Sequence, residues 1–415
     1  MKCWWLAVTL VSAPVYLSGQ MQMDGAAASL KANVLRHSAS GTSLEPDSSA
    51  PPMLMRMSGK WMEMLHGEVN VAEQQQSDPR GRDKLFSVNW AMLMAQRSTA
   101  HGEWTFASML SLEPATITGR YYPELFQQGE TAFGKAIVDG QHPHDLFMEL
   151  AAMYDLNLGE RGLASLYAAP VGDPALGPVA FPHRMSAESD PLAPLAHHLQ
   201  DSTHIAYDVV TGGITWGPAR VEASGFHGRE PGENRWTIEA GAVDSWSTRL
   251  TVSPAKDWIA QYSMGHLHSP EELHPQEDVL RQTASIAMHH TWTSTELDAT
   301  AVWGRNHTIG TDVNANGYLV EAEMRIHAKH SIWTRIENDD RTTDLLGAAA
   351  PPEESVVGRV QAYTGGYAHR IWNGHWSALE LGAQATLYTT PTRLLPYYGA
   401  HPAGVAGVLH WRIGR

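Results

Sequence analysis

Residues 377–388, SALELGAQATLY, decide the fold of this chain. Apolar side chains alternate there with polar or small ones: Leu379, Leu381, Ala383, Ala385 and Leu387 against Glu380, Gly382, Gln384 and Thr386. Successive side chains of a β-strand point to opposite sides of the sheet, so this period of two predicts a strand with two chemically different faces. Residues 318–327 and 245–252 repeat the pattern. Strands of this kind occur both in soluble sandwiches and in membrane barrels.

The number and spacing of such segments separate the two folds. We predict strands at 61–73, 85–97, 102–113, 145–158, 162–169, 203–216, 218–229, 244–253, 257–267, 279–294, 296–306, 316–328, 330–338, 355–371, 376–389 and 404–414. Tight turns alternate with long connections, which are 74–84, 114–144, 170–202, 230–243, 268–278, 307–315, 339–354 and 390–403. This alternation is typical of outer-membrane barrels. The sequence therefore predicts an all-β fold over residues 61–415: an antiparallel transmembrane β-barrel of about 16 strands, with long extracellular loops and short periplasmic turns.

The composition excludes other classes of protein. Hydrophobic residues make up 43% of the chain, but no segment after the N-terminus approaches twenty consecutive apolar residues, which argues against a helical membrane protein. The formal net charge of -15 argues against nucleic acid as a partner. The remaining membrane-spanning architecture is the closed barrel, because it pairs every backbone group.

The N-terminus predicts export from the cytoplasm. Lys2 and the apolar run 4–17 form a secretory signal, which we place at residues 1–19. Cys3 is the only cysteine and lies inside this signal, so disulfides and cysteine catalysis are excluded. Residues 20–60 are rich in Ser, Ala, Pro and Met, and we expect them to form a flexible periplasmic arm.

The arm and the start of the first strand carry a repeated Met-x-Met pattern. Its members are Met21, Met23, Met53, Met55, Met57, Met62 and Met64. Thioethers at this spacing are soft ligands suited to Cu(I). In the alternative interpretation, Met62 and Met64 only share one face of the first strand and the others have no role.

Tryptophans near the predicted strand ends fit a membrane interface. They are Trp61, Trp104, Trp216, Trp258, Trp292, Trp303, Trp333, Trp376 and Trp411. In this pattern the chain resembles the outer-membrane β-barrels of Gram-negative bacteria from about Trp61 to Arg415. The resemblance implies contact with outer-membrane lipid and the barrel assembly machinery, transport or binding of a small solute as in porins, and a homo-trimer. Such barrels usually end on an aromatic residue, whereas this chain ends WRIGR.

Two long loops carry clustered metal-capable side chains. The first contains GQHPHD, residues 140–145, and the second leads through HHLQDSTH, residues 197–204. Imidazoles and carboxylates are the ligands that Zn(II), Cu(II) and Ni(II) accept. If both loops meet at the outer mouth of the barrel, they form a metal site. Its predicted members are His142, His144, Asp145, His197, His198, Asp201 and His204.

Alternative interpretations of these residues stay open. The histidines can instead form a neutral hydrogen-bond network that holds the loops together. Ser202 and His204 could serve a membrane-embedded hydrolase, although the sequence shows no oxyanion donors and we expect no enzyme. The polar strand faces either cross-brace a plugged, structural barrel or line a channel. Their charged and amide residues are Glu222, Arg249, Arg281, Glu321, Glu323, Arg325, Arg359, Gln361, Glu380 and Gln384.

Overall fold

The computed structural model describes residues 30–49, 51–77, 79–349 and 354–414. Sixteen antiparallel strands form one barrel, in which each strand pairs with the next barrel strand along the chain. The last strand pairs with the first, for example Val408 with Ala72, and this pair closes the barrel. The predicted all-β barrel of about 16 strands is therefore confirmed. No helix in the described ranges is long and apolar enough to cross a membrane.

The strands and helices have the following bounds. The strands are β1 Leu54–Ser58, β2 Trp61–Gln76, β3 Lys84–Ser98, β4 Gly102–Leu110, β5 Tyr122–Ala132, β6 Lys135–Gln141, β7 Phe147–Asn157, β8 Gly162–Gly172, β9 Ala206–Trp216, β10 Ala219–His227, β11 Ser245–Ala255, β12 Trp258–Leu267, β13 Val279–Trp292, β14 Thr295–Thr308, β15 Asn314–Ile326, β16 His330–Thr342, β17 Val356–Asn373, β18 Ser377–Thr389 and β19 Ala403–Ile413. The helices are α1 Leu30–Arg36, α2 Glu113–Thr116, α3 His197–Gln200 and α4 Leu395–Tyr398. All strands except β1, β5 and β6 belong to the barrel wall.

The barrel is apolar outside and polar inside. Leu381 and Val320 point outward and are 55% and 54% exposed, whereas Glu321 and Arg281 point inward and are each 1% exposed. A soluble sandwich would bury the apolar faces of its strands and leave the charged ones in water. The reversed arrangement is the one that a wall in contact with lipid requires.

The inward face is cross-braced by ion pairs. Arg249 contacts Glu222 at 3.0 Å, and the Arg335 Nε atom contacts Glu321 at 3.0 Å. Most of the polar strand residues singled out in the sequence are buried in this interior; Arg359 is an exception, with its side chain 44% exposed. The contacts correspond to the cross-braced alternative rather than to a water-filled lining.

Most of the predicted interface tryptophans point outward, but Trp333 points into the barrel. Its side chain is 3% exposed, and its Nε1 atom donates a hydrogen bond to Gln384 at 3.0 Å. The opposing residue on β17 is Gly366, and a Cβ atom there would lie 2.0 Å from the Trp333 ring. Gly366 has no side chain and so leaves room for the inward indole of Trp333. The position of Trp333 near a strand end could not indicate this orientation.

Residues 30–49, here called the N-terminal segment, lie inside the barrel. The His37 Nε2 atom contacts Asp155 on β7 at 2.8 Å, and Ser49 donates a hydrogen bond to Asp298 on β14 at 3.0 Å. Arg249 on β11 donates a hydrogen bond to Thr42 at 2.8 Å. Residues 30–49 thus differ from the flexible arm that was expected for residues 20–60, because small and hydroxyl side chains pair with the polar wall. Residues 20–29 of that arm lie outside the described residues.

The remaining predictions for the N-terminal part of the chain concern its methionines and the secretory signal. Residues 54–58 form β1, which pairs antiparallel with residues 61–65 of β2 and carries Met55 and Met57 on its exposed surface. The predicted signal at residues 1–19, together with Met21 and Met23, lies outside the described residues.

Two long connections enter the interior. Residues 173–205, here called the lumen loop, join β8 to β9 and are almost entirely buried. Residues 111–146, here called the hairpin loop, join β4 to β7 and contain the β5–β6 hairpin. Sequence alternation did not predict that hairpin, because its pairing is interrupted by bulges and its strands include positive φ angles, for example at Phe126 and Glu130.

Charged residues hold the lumen loop against the wall. Arg184 contacts Glu321 at 2.8 Å, and Asp190 contacts Arg335 at 3.1 Å. Glu188 pairs with Arg325. Charges removed from water need such partners, so the wall charges and the loop charges stabilise each other.

Candidate metal centre in the lumen

Three histidines converge where the hairpin loop meets the lumen loop. His142 follows β6, and α3 carries His197 and His198. One ring nitrogen from each lies within 4.8 Å of the others. The ligand atoms around a tetrahedral Zn(II) ion with 2.0–2.1 Å bonds are roughly 3.3 Å apart, so a modest inward movement would bring these three to ligation distance. We call His142, His197 and His198 the His centre.

Local chain geometry places these imidazoles. Pro143 restricts the backbone beside His142 to one φ value. The backbone N–H of His197 donates a hydrogen bond to Pro194 at 3.0 Å, and that of Asp201 donates one to the carbonyl of His197 at 3.0 Å, which form the single turn of α3. The carbonyl of His198 accepts hydrogen bonds from Arg281 and Asn306 on the wall, so α3 is anchored to β13 and β14.

Gly129 explains how closely the hairpin loop approaches α3. This residue has a φ of 122°, and a Cβ atom built on it would lie 2.6 Å from the His198 ring. A glycine is therefore needed both for the backbone conformation and for the space that the imidazole fills.

His144 and His204 extend the cluster. Their ring centroids are 5.3 Å apart, and the His204 ring is also 5.3 Å from that of His197. Phe181 of the lumen loop packs against His144 and His197 at 5.5 and 5.1 Å. Five of the seven predicted site residues are thus the imidazoles of one buried cluster.

The Nδ1 atoms of these rings are held by neighbouring acceptors. Backbone carbonyls accept from His142 at 3.1 Å and from His204 at 2.8 Å. The carboxylates of Asp201 and Glu113 contact the Nδ1 atoms of His197 and His144 at 2.7 and 2.9 Å. A carbonyl can only accept, so His142 and His204 carry their proton on Nδ1 and leave the Nε2 lone pair free. This is how proteins orient histidines that ligate metals.

The Nε2 atoms are buried without hydrogen-bond partners. Within the described residues, this holds for His142, His144, His197, His198 and His204. The Nε2 atom of His142 lies 3.0 Å from a carboxylate oxygen of Glu130, although without hydrogen-bond geometry. A lone pair facing a carboxylate is unfavourable, and a cation between the two would remove the repulsion.

Burial keeps the imidazoles of the centre neutral. It lowers the pKa of His197 to about 4 and also lowers the pKa values of His142, His198 and His204. Burial would raise the pKa of Asp201, but the charge of Arg184 and the hydrogen bond with His197 outweigh it and hold this carboxyl ionised. At pH 7 the rings are therefore available as ligands, since only a neutral imidazole can bind a metal ion.

The two predicted aspartate ligands lie elsewhere. Asp145 accepts hydrogen bonds from Tyr207 at 2.7 Å and from Arg235 at 3.2 Å. Asp201 lies behind His197, and its second oxygen is 3.3 Å from Arg184. Each carboxylate already has a strong partner, so Asp145 braces the hairpin loop and Asp201 orients the His197 ring.

Sequence reasoning missed the carboxylates that do face the imidazoles. Besides Glu130, these are Glu230 and Glu271, which form a second group with His198 in which one atom of each lies within 4.8 Å of the others. Both follow barrel strands as the chain enters long connections, a position that could have indicated them.

Ser202 and His204 do not form a catalytic pair. The Ser202 hydroxyl donates a hydrogen bond to Glu230 at 2.8 Å and accepts one from Arg281 at 2.8 Å. The Nδ1 atom of His204 is held by the Asp201 carbonyl. No hydrogen bond joins the two side chains in the part of the chain that the structure describes, so the geometry does not support the hydrolase alternative.

Comparison with known proteins agrees with the architecture. No protein-family model and no curated protein sequence matches the chain. The fold is similar to an anion-selective porin from Comamonas acidovorans, with a TM-score of 0.53 and 11% identity over 85% of this chain and 100% of that one. It is also similar to OprB of Pseudomonas putida, with a TM-score of 0.51 and 9% identity over 86% and 94%.

These similarities concern the fold, because the identities are low. The molecule has the architecture of the Gram-negative outer-membrane β-barrels, and the resemblance noted in the sequence is confirmed at that level.

Proposed function

We propose that this protein is an outer-membrane barrel that binds a divalent transition-metal ion, Zn(II) or Cu(II), at the His centre and takes up or passes small cationic solutes. One observation carries the proposal: five neighbouring buried imidazoles, four of which have Nδ1 held by an acceptor, have Nε2 without a partner. A purely structural network would pair both ring nitrogens, because an unpaired buried polar atom costs about 1–3 kcal/mol.

An acidic cavity supports access for cations. A cavity of about 80 Å³ borders His198 and is lined by five carboxylates from loops and from the end of β16, with Arg341 beside them. They are Glu271, Glu277, Asp340, Asp344 and Glu354. Carboxylates concentrate cations at such a surface, and the net charge of -15 acts in the same direction.

Metal titration tests the His centre. The refolded full chain should bind Zn(II) at pH 7 by calorimetry, and the double variant His142→Ala, His198→Ala should bind at least roughly tenfold more weakly. The matched control replaces the exposed turn residues His101 and His375 with Ala, which should leave affinity unchanged. Equal affinity in the site variant and the parent would reject the centre.

The plugged structural barrel is the second candidate. It is supported by burial of both the N-terminal segment and the lumen loop inside the barrel. Zinc binding by a barrel that never conducts would favour a binding protein, and conduction would favour a channel. Conductance therefore distinguishes a channel from a plugged barrel, and it is measured independently of metal affinity.

Location and assembly belong to the same proposal. We infer export through a signal at residues 1–19, insertion by the barrel assembly machinery, and a homo-trimer in the outer membrane. The exposed apolar wall supports insertion into lipid. Fractionation should recover the protein with outer membranes, N-terminal sequencing should show the signal removed, and cross-linking should give trimers. Recovery as a soluble periplasmic protein would overturn the location.

A further inference from the structure

A patch of methionines lines the interior wall on the side of the barrel where it closes. Six buried methionines form it: Met64 on β2, Met92 and Met94 on β3, Met109 on β4, and Met148 and Met153 on β7. Much of the remaining interior wall carries charged and hydroxyl side chains. A barrel interior has no general need for thioethers, so their concentration on four neighbouring wall strands requires a reason.

Strand register aligns part of this patch with a histidine. His66 on β2 lies opposite Met92 on β3, and Met92 lies opposite Met109 on β4. The next row places Met64 opposite Met94. Side chains directly opposite each other in antiparallel strands have Cβ atoms about 4.5–5.5 Å apart, so an imidazole and two thioethers form one continuous row.

The lumen loop adds a second imidazole above this row. The Nε2 atom of His183 lies 3.1 Å from the sulfur of Met109. The His183 ring packs on Trp90 at 4.4 Å and is 6.1 Å from the His66 ring. A nitrogen of the lumen loop therefore lies beside a sulfur of the wall, although the two residues are distant in sequence.

Space and an unpaired ligand atom occur beside the two imidazoles. A cavity of about 20 Å³ is lined by His66 and His183, together with charged residues such as Glu68 and Glu188, and this is enough volume for one small ion. Met92 and Met109 are not part of its lining and adjoin it only through the two imidazoles. His66 is 2% exposed, and its Nε2 atom has no hydrogen-bond partner within the described residues. A free imidazole nitrogen beside two thioethers is a set of soft and borderline ligands.

We propose that His66, Met92, Met109 and His183 form a binding site for a soft monovalent cation, Cu(I) or Ag(I). Thioethers favour Cu(I) over Zn(II) or the hard cations, so this site and the His centre select different ions. No electron transfer is required, because the ion enters and leaves in the same oxidation state. The site goes beyond the proposed divalent centre and does not depend on it.

The competing explanation is that the methionines only fill irregular space. Met is the most adaptable apolar side chain, and Leu can replace it with little change in volume. The two explanations differ in what a Met→Leu substitution does: packing would be retained, whereas sulfur ligation would be lost.

Silver titration of the refolded full chain tests the site. Ag(I), added as the nitrate in chloride-free buffer, should bind tightly to the parent. The double variant Met92→Leu, Met109→Leu should bind at least roughly tenfold more weakly, while its Zn(II) affinity stays unchanged. Met55→Leu, Met57→Leu on exposed β1 is the matched control and should bind silver as the parent does. An unchanged silver affinity in the buried double variant would overturn the proposal.

A second variant and a spectroscopic measurement test the site even if the variant Met92→Leu, Met109→Leu does not fold. His183 lies in the lumen loop, outside the wall strands, so its substitution does not alter the strand pairing. The variant His183→Gln should also weaken silver binding. X-ray absorption at the silver edge of selenomethionine-labelled protein should show selenium neighbours. Neighbours of nitrogen and oxygen alone, or full affinity in His183→Gln, would reject the site. Loss of Zn(II) binding in His142→Ala, His198→Ala with silver binding retained would separate the two centres.

Discussion

At the scale of single residues, Asp201 and Asp145 show how two similar carboxylates have different tasks. Asp201 contacts the Nδ1 atom of His197, whereas Asp145 contacts Tyr207 and Arg235. Asp201→Asn should weaken Zn(II) binding by about 10–100-fold, because the neutral amide orients and polarises the imidazole less well. Asp145→Asn is the control and should retain the affinity of the parent by calorimetry. Equal losses in both variants would contradict the assignment.

The outward face permits a residue-scale test of the membrane contact. Leu381 points outward from β18 and is 55% exposed, so Leu381→Arg should destabilise the barrel by about 2–4 kcal/mol if the residue lies near the bilayer midplane. Trp376→Arg, at the turn before β18, should cost only about 0–1 kcal/mol because charges are tolerated near the interface. Urea unfolding in lipid vesicles measures both. A larger loss of stability for Trp376→Arg than for Leu381→Arg would contradict this position of the membrane.

At the scale of elements, the N-terminal segment is held by groups whose protonation matters. Burial, followed by the charge of Asp298, raises the pKa of Glu45 from 4.5 to about 8. The folded state therefore binds the proton more tightly than the unfolded chain does. Its contribution to stability is complete below about pH 4.5 and is lost as the pH rises through 8.

This linkage predicts release of the segment at alkaline pH. Hydrogen exchange of residues 30–49, corrected for the intrinsic rate, should increase between pH 6 and pH 9, since ionised Glu45 is unfavourable in its buried position. Glu45→Gln keeps a neutral side chain and should remove most of that increase. The same pH dependence in parent and variant would show that another group controls the segment.

At the scale of the whole molecule, the filled interior predicts low conductance. The N-terminal segment and the lumen loop both lie within the barrel, and ion pairs such as Asp190 with Arg335 hold the loop. In planar bilayers the parent should conduct poorly, and deletion of residues 30–49 should raise single-channel conductance several-fold. Heat-modifiable migration on a gel checks that the variant still forms a barrel. A parent that already conducts as well as the deletion variant would exclude the plugged state.

The sequence by itself determined the strands and their two faces. Alternation with a period of two is a local property, so residues 377–388 and their equivalents could be assigned without any knowledge of partners. Strand ends agree within a few residues, as for Ser377–Thr389 against the predicted 376–389. The histidine-rich loops were also visible, because clustering along the chain is itself a signal.

Only the tertiary structure decided what fills the barrel and which side chains meet. His142 and His197 belong to different loops, and Glu230 comes from a third, so their convergence depends on how the loops fold into the closed wall. Likewise, alternation places Met92 on the inward face, but strand register alone sets it opposite His66. Contacts between distant segments follow from closure of the barrel, whereas the local pattern records only which way each side chain points.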